Sequence, residues 1–256
     1  MRHGLWPILG LLGLLCVAPA SARERQTPVL DPTLGGIGVL IKSKGPTPIS
    51  AAPCATVAFF VRADSGVDVL RATEILTSNY YGRNQIYLLN IPPGKYVVVG
   101  AYTEGYGVPS ASIYFDKEMI PRTEVLVEPG KISFMGRISV KVSIGMGHAD
   151  EAQNHYGDLI GRGMAIDVSY GFAGPSGSVK PGDMGGVMAG VRAAARASGQ
   201  IETSVHVDHV TRAGRLDFLD RKPGTERDFW RLATKNVFAH EPDWQQLTRR
   251  RLEALN

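Results

Sequence analysis

The chain has 256 residues, 44% of them hydrophobic and 20% charged, enough length and apolar content to bury a core without covalent staples. Its formal net charge of +4 is too mild to imply a nucleic-acid partner. The two cysteines, Cys16 and Cys54, exclude a disulfide framework.

Residues 1–22 carry the three parts of an export signal. These are Met1-Arg2-His3, a Leu-rich run from Leu5 to Val17, and the small-residue exit Ala18-Pro19-Ala20-Ser21-Ala22. The run is short for a bilayer span and Pro7 interrupts it, so a cleaved leader is expected, with cleavage after Ala22. No Asn-x-Ser/Thr acceptor occurs, which fits a bacterial periplasm or cell surface better than a eukaryotic secretory route. Cys16 lies inside the leader. Leu15 stands where lipoprotein signals carry Gly, Ala or Ser, so lipidation of Cys16 is the lesser reading, and membrane association would follow only from it.

Residues 23–35 read as a linker, and 36–145 as a run of strands. Gly35-Gly36-Ile37-Gly38 precedes a strand instead of opening a helix, so it is no phosphate cradle, and no cofactor is expected. Apolar runs at 38–43, 55–62, 85–91, 95–103, 111–116 and 122–128 are separated by turn chemistry. Cys54 stands at a strand entrance with no His or basic residue close in sequence, which predicts an inert thiol. The longer connection 66–83 leaves room for a short helix or edge strand over 67–76, followed by Tyr80-Tyr81-Gly82. Loops at one end of a sandwich would bring Tyr80, Tyr81 and Tyr106 together as a platform for a sugar or peptide. The plainer alternative is that they cap the rim of the core. Asp116 and Glu118 fall in a solvated turn, where nothing would raise a carboxyl into a working acid.

The clearest strand is 131–144. Ile132, Phe134, Ile138, Val140, Val142 and Ile144 alternate with Ser133, Arg137, Ser139, Lys141 and Ser143. Gly136 interrupts the apolar face, and a bulge or bend there would let one strand serve two sheets. Seven strands argue an antiparallel β-sandwich, transthyretin-like or Ig-like.

Leu89-Asn90-Ile91-Pro92-Pro93-Gly94-Lys95-Tyr96 resembles the Pro-Gly-x-Tyr hairpin of transthyretin-like and carboxypeptidase-regulatory-like domains. Val127-Glu128-Pro129-Gly130-Lys131-Ile132 is similar to the closing hairpin of exported bacterial proteins of that type. The resemblance covers about residues 36–145, implies architecture, and implies a sandwich that binds, spaces or stabilises. Hydroxyisourate hydrolases of the transthyretin fold end in Tyr-Arg-Gly-Ser. This chain ends Glu-Ala-Leu-Asn, so that activity is not implied.

From 146 to 222 the composition shifts to a Gly-rich annex or insertion, with strand-like patches at 164–170 and 200–207 and a helix-like stretch at 187–197. A metal site would need His148, His155, His206, Asp208 and His209 to converge. On a strand His206 and Asp208 share a face that His209 does not, and nothing in the spacing demands a metal. Ser176 lacks the context of a nucleophile elbow. Residues 223–256 read as two helices, the first with Thr225 and Asp228 as a capping pair, the second started by Pro242. Trp230 and Trp244 are expected to dock on the sandwich or on each other, and Arg249-Arg250-Arg251 to form a solvated face. The leading expectation is a non-enzymatic exported binding or assembly protein of the bacterial envelope, with an envelope protein or cell-wall glycan as partner. The alternatives are a metal-dependent or hydrolytic enzyme using His148, His155, His206 and His209, and a glycan-binding module using the three tyrosines.

Overall fold

The computed structural model describes residues 27–44, 54–103, 111–144, 149–161, 168–169, 178–179 and 210–255. The leader, Cys16, Tyr106, His148, His206, Asp208, His209, Ser176 and the stretch 187–197 lie outside them. In chain order the strands are β1 (Gly35–Lys44), β2 (Val57–Arg62), β3 (Leu76–Thr77), β4 (Tyr80–Gly82), β5 (Gln85–Ile91), β6 (Gly94–Thr103), β7 (Ala111–Phe115), β8 (Val125–Val127), β9 (Ile132–Ile144), the short pair β10 (Val168–Ser169) and β11 (Ser178–Val179), and β12 (Val210–Asp220). The helices are α1 (Met119–Arg122), α2 (Glu151–Gly161), α3 (Pro223–Leu232) and α4 (Pro242–Glu253), with a π-turn, Ala233–Val237, between the last two.

The protein is mainly β, as expected, but no seven-stranded antiparallel sandwich forms. One curled, mixed sheet runs β3-β2-β6-β7-β12-β9-β1-β5-β4, with β8 also pairing to β6. Two of its pairings are parallel, β1 with β9 and β7 with β12. The physical reason is β12, which inserts between β7 and β9 and so carries the sheet beyond residue 145. Its sequence hides this, because Gly214 sits where a bulky residue would be expected. A Cβ there would lie 2.6 Å from Ile113 Cγ2 and 2.7 Å from Val140 Cγ1, so the close approach of β7, β12 and β9 requires glycine.

Strand β6 shares its second edge between β8, at Gly94–Tyr96, and β7, at Gly100–Thr103. In the gap the Val98 N–H donates to Thr123 Oγ1 (3.0 Å), so a fully buried backbone donor is not orphaned. The connection 66–83, read as loop around the tyrosines, contains β4 instead. Arg83 and Asn84 both take positive φ (52° and 66°) and close a two-residue hairpin onto β5.

Strand β9 alternates on each side of Gly136, but its apolar residues do not all share one face as expected, because the expected irregularity at Gly136 divides them. There φ is +126° and the β1–β9 register shifts opposite, between Gly38 and Val39. The slip flips which face is apolar. Before it, Ile132 and Phe134 pack with Phe229, Trp230, Phe238 and Trp244 in a second core under the C-terminal helices. From Met135 onward, Ile138, Val140 and Val142 enter the main core with Ile37, Val39 and Ile41 of β1. One strand therefore serves two cores on opposite faces of one sheet, where the bend at Gly136 was expected to let it serve two sheets.

The C-terminal helices dock as expected, with Trp230 and Trp244 buried. Trp230 Nε1 donates to Glu226 Oε1 (2.9 Å), and Trp244 Nε1 donates to the carbonyl of Pro28 (2.6 Å), which pins the segment before β1. The start of α3 differs from the Thr225–Asp228 reading. Pro223 occupies the first turn, and Thr225 Oγ1 donates back to Asp220 Oδ2 (2.8 Å).

Candidate functional site

Tyr80 is buried in the second core. Its ring stacks on Phe238 at 5.2 Å, and its hydroxyl donates to the carbonyl of Val237 (3.2 Å). Beside it Tyr87 donates to Gln85 Oε1 (2.6 Å), and Gln85 Nε2 donates to the carbonyl of Phe229 (3.0 Å). Burial pushes the Tyr87 hydroxyl well above the usual tyrosine range. This polar chain fastens α3 and the π-turn to β4 and β5. Tyr81, the next residue on the strand, points to the other side, and its hydroxyl donates to Asn84 Oδ1 (2.9 Å).

His155 lies on α2. Its Nε2 donates to the carbonyl of Ala72 (2.9 Å), and the neighbouring Tyr156 hydroxyl donates to Val69 (2.7 Å), so both rings tie α2 to the connection before β3. Asp150 starts the same helix. Its Oδ1 accepts from Gln153 N–H (3.0 Å) while Gln153 Oε1 accepts from Asp150 N–H (3.0 Å), a reciprocal cap. Gln153 Nε2 then reaches the carbonyls of Tyr114 and Gly214 (3.2 and 2.9 Å). Asp116 departs from expectation. Burial, with Asp150 and Glu118 nearby, raises its carboxyl, although it accepts from Met119 N–H at 2.7 Å. Among the described residues no three His, Cys, Asp or Glu side chains gather as a metal would require.

The feature that sequence reading missed lies on the face of β1, β9 and β12 that the C-terminal helices leave open. Register places Lys44 directly opposite Lys141, and Lys141 opposite Arg215, in one row across three strands. The same face carries Lys42 opposite Ser139, and Arg137 opposite Asp220. Among the described residues the five cations there face Asp217 and Asp220, and Arg215 also acts on Asp116. Like charges directly opposite on neighbouring strands destabilise a sheet. The row is tolerated because β12 bulges between Leu216 and Phe218 and turns Asp217 into it. The Asp217 carboxylate accepts from Lys44 Nζ, from Lys141 Nζ (3.1 Å) and from Ser139 Oγ (3.2 Å). These bonds, Lys44 first and Lys141 second, hold the carboxyl below its ordinary range. Arg215 closes no salt bridge among the described residues, but its charge acts on the nearby part-buried Asp116, lowering that carboxyl against the burial that raises it. Next in the bulge, Phe218 is 38% exposed, with Lys44 Nζ 5.5 Å from its ring centre.

Cys54 borders this face through its bridge to Lys42. Sequence reading found no basic neighbour for it. The fold brings Lys42 and Arg137 near, yet burial outweighs them and the thiol is pushed up, so it stays protonated and inert. The cation row left only faint signals in the sequence: Lys42-Ser43-Lys44 at a strand end, and the polar face of β9 through Arg137 and Lys141.

The fold and this face define a mainly β protein with a curled mixed sheet, a helical cover on one half-face and a cationic opposite half. No family model, curated protein or solved structure matches the chain. Among the described residues, no helix is long and apolar enough to cross a membrane.

Proposed function

We propose that this chain is an exported, non-enzymatic binding or assembly protein of the bacterial cell envelope. The observation that carries the reading is the cationic half-face on the central strands β1, β9 and β12, which the described helices do not cover. A like-charge row is a cost in a sheet, and such a cost fits a surface kept for an anionic partner. Two further facts support it. Tyr80 and His155, each one member of an alternative site set, are spent on bonds that hold a helix or turn to the rest of the fold. The 1–22 segment has the composition of a cleaved leader.

The test is made in cells. Fractionation and N-terminal sequencing of the native protein should find it outside the cytoplasm and beginning at Arg23. In-cell cross-linking should then yield a defined envelope component. A cytosolic protein that retains Met1 would overturn the reading, as would cross-links only to bulk envelope protein.

A further inference from the structure

We infer that the Lys44–Lys141–Arg215 row, with the Phe218 ring beside it, docks an acidic polysaccharide. The inference rests on the envelope-binding reading above and names the partner of that same face.

Three observations carry it. The first is geometry. Strands lie about 4.8 Å apart, so three cations in register span about 10 Å in a line. A line of that length matches charges repeated along an extended polymer better than one small ion, which a compact nest of donors would hold.

The second is the aromatic ring. Phe218 is among the few large apolar side chains exposed among the described residues, and it lies in the same bulge as Asp217. A flat ring beside cations offers a stacking surface for the C–H face of a sugar, while the cations take its carboxylates. A membrane surface would ask for a broader apolar face around the cations. Here Phe218 is flanked by Lys44, Ser139 and Asp217 instead.

The third is Asp217. Its carboxylate already sits between Lys44 and Lys141 with Ser139 as a third donor, in the manner of an anionic ligand. It shows that the row can hold a carboxylate, and Arg215, which has the part-buried Asp116 as its nearby counter-charge, extends the row past Asp217. An incoming uronate would engage Arg215 first and share Lys141 with Asp217.

The test uses the purified mature chain and polygalacturonate as the acidic polysaccharide. Neutral dextran and phosphatidylglycerol vesicles serve as the other arms. Binding to polygalacturonate is expected, with affinity falling at least fivefold between 50 and 200 mM salt, because exposed charges are screened. Arg215→Glu should weaken it at least tenfold, and Phe218→Ala at least threefold. Asp217→Asn should strengthen it severalfold by removing the internal competitor. Circular dichroism and unfolding curves of each variant verify the fold. Should Asp217→Asn unfold, Arg215→Glu and Phe218→Ala at exposed positions still decide the matter.

Equal binding to dextran, binding to the vesicles alone, or polygalacturonate affinity unchanged in both Arg215→Glu and Phe218→Ala would each overturn the inference. If polygalacturonate fails while the native protein begins at Arg23 and cross-links to a defined envelope component, the envelope reading stands and this one falls. A cytosolic chain with Met1 removes both.

Discussion

Gly136→Ala tests the bulge that lets β9 serve two cores. At φ +126° an alanine lies outside the favoured regions, at a cost on the order of 1–3 kcal/mol. Its Cβ would also lie 2.7 Å from Leu219 Cδ1 and 3.3 Å from the Asp220 carbonyl oxygen. Overpacking of that kind costs about 1–3 kcal/mol, and the lower end applies because the Leu219 methyl can turn aside while the backbone oxygen cannot. The two effects together predict a loss of about 2–4 kcal/mol. Urea unfolding followed by tryptophan fluorescence reads it directly, since Trp230 and Trp244 lie in the core that the bulge creates. The midpoint should fall with the slope unchanged. Adding Leu219→Ala separates the causes. It clears the overlap but not the dihedral strain, so the double variant should be more stable than additivity predicts by about 1 kcal/mol. A loss under about 0.5 kcal/mol for Gly136→Ala would refute the reasoning, because no left-handed residue and no face switch could then exist at this point.

Trp230→Ala removes the largest fully buried side chain and leaves Glu226 without its indole donor. It should cost about 3–5 kcal/mol in the same assay and expose α3 and α4 to limited proteolysis. Gln85→Leu orphans the Tyr87 hydroxyl, while the Phe229 carbonyl loses its side-chain donor but keeps the Ala233 N–H, and should cost about 1–3 kcal/mol. Adding Tyr87→Phe should recover part of that loss, and further destabilisation would argue against the chain of bonds. Arg215→Thr removes a like charge opposite Lys141 and should stabilise the fold by about 0.2–1 kcal/mol at low salt. The gain should shrink in 0.5 M salt, and a gain independent of salt would contradict an electrostatic origin. At high pH, burial pushes the hydroxyls of Tyr114 and Tyr156 up to about 12. The unfolded chain releases those protons near pH 10 while the folded one keeps them. Stability is therefore complete below pH 10 and falls between pH 10 and 12, by up to about 1.4 kcal/mol per pH unit for Tyr114 and by less for Tyr156, whose part-buried hydroxyl is screened by solvent. Phenolate absorbance should rise together with unfolding, and titration of all tyrosines near pH 10 in the folded state would refute this.

Strong local patterns were legible before any tertiary contact was known. The alternation on each side of Gly136 in β9, the Gly136 irregularity itself and the amphipathic C-terminal helices with Trp230 and Trp244 all stand in the structure, although the single apolar face expected through β9 does not. Each depends on periodicity or on one residue's backbone freedom, and both are written locally. Tyr80 and Tyr81 read as loop because Arg83-Asn84 is an uncommon pair for a two-residue hairpin, so its turn signal was weak. The cap at the start of α2 went unread, although Gln153 three residues after Asp150 marks a helix start.

Sequence alone determined where the chain alternates, where it coils into helices, and that its first residues have a leader's composition. Tertiary structure alone decided that β12 joins the sheet, since a strand with glycine at its centre and charges around it gains its place only from the neighbours it pairs with. It also decided that Lys44, Lys141 and Arg215 share a row. Residues so far apart in the chain become neighbours through strand register, a property of paired backbones that no local window of side chains contains.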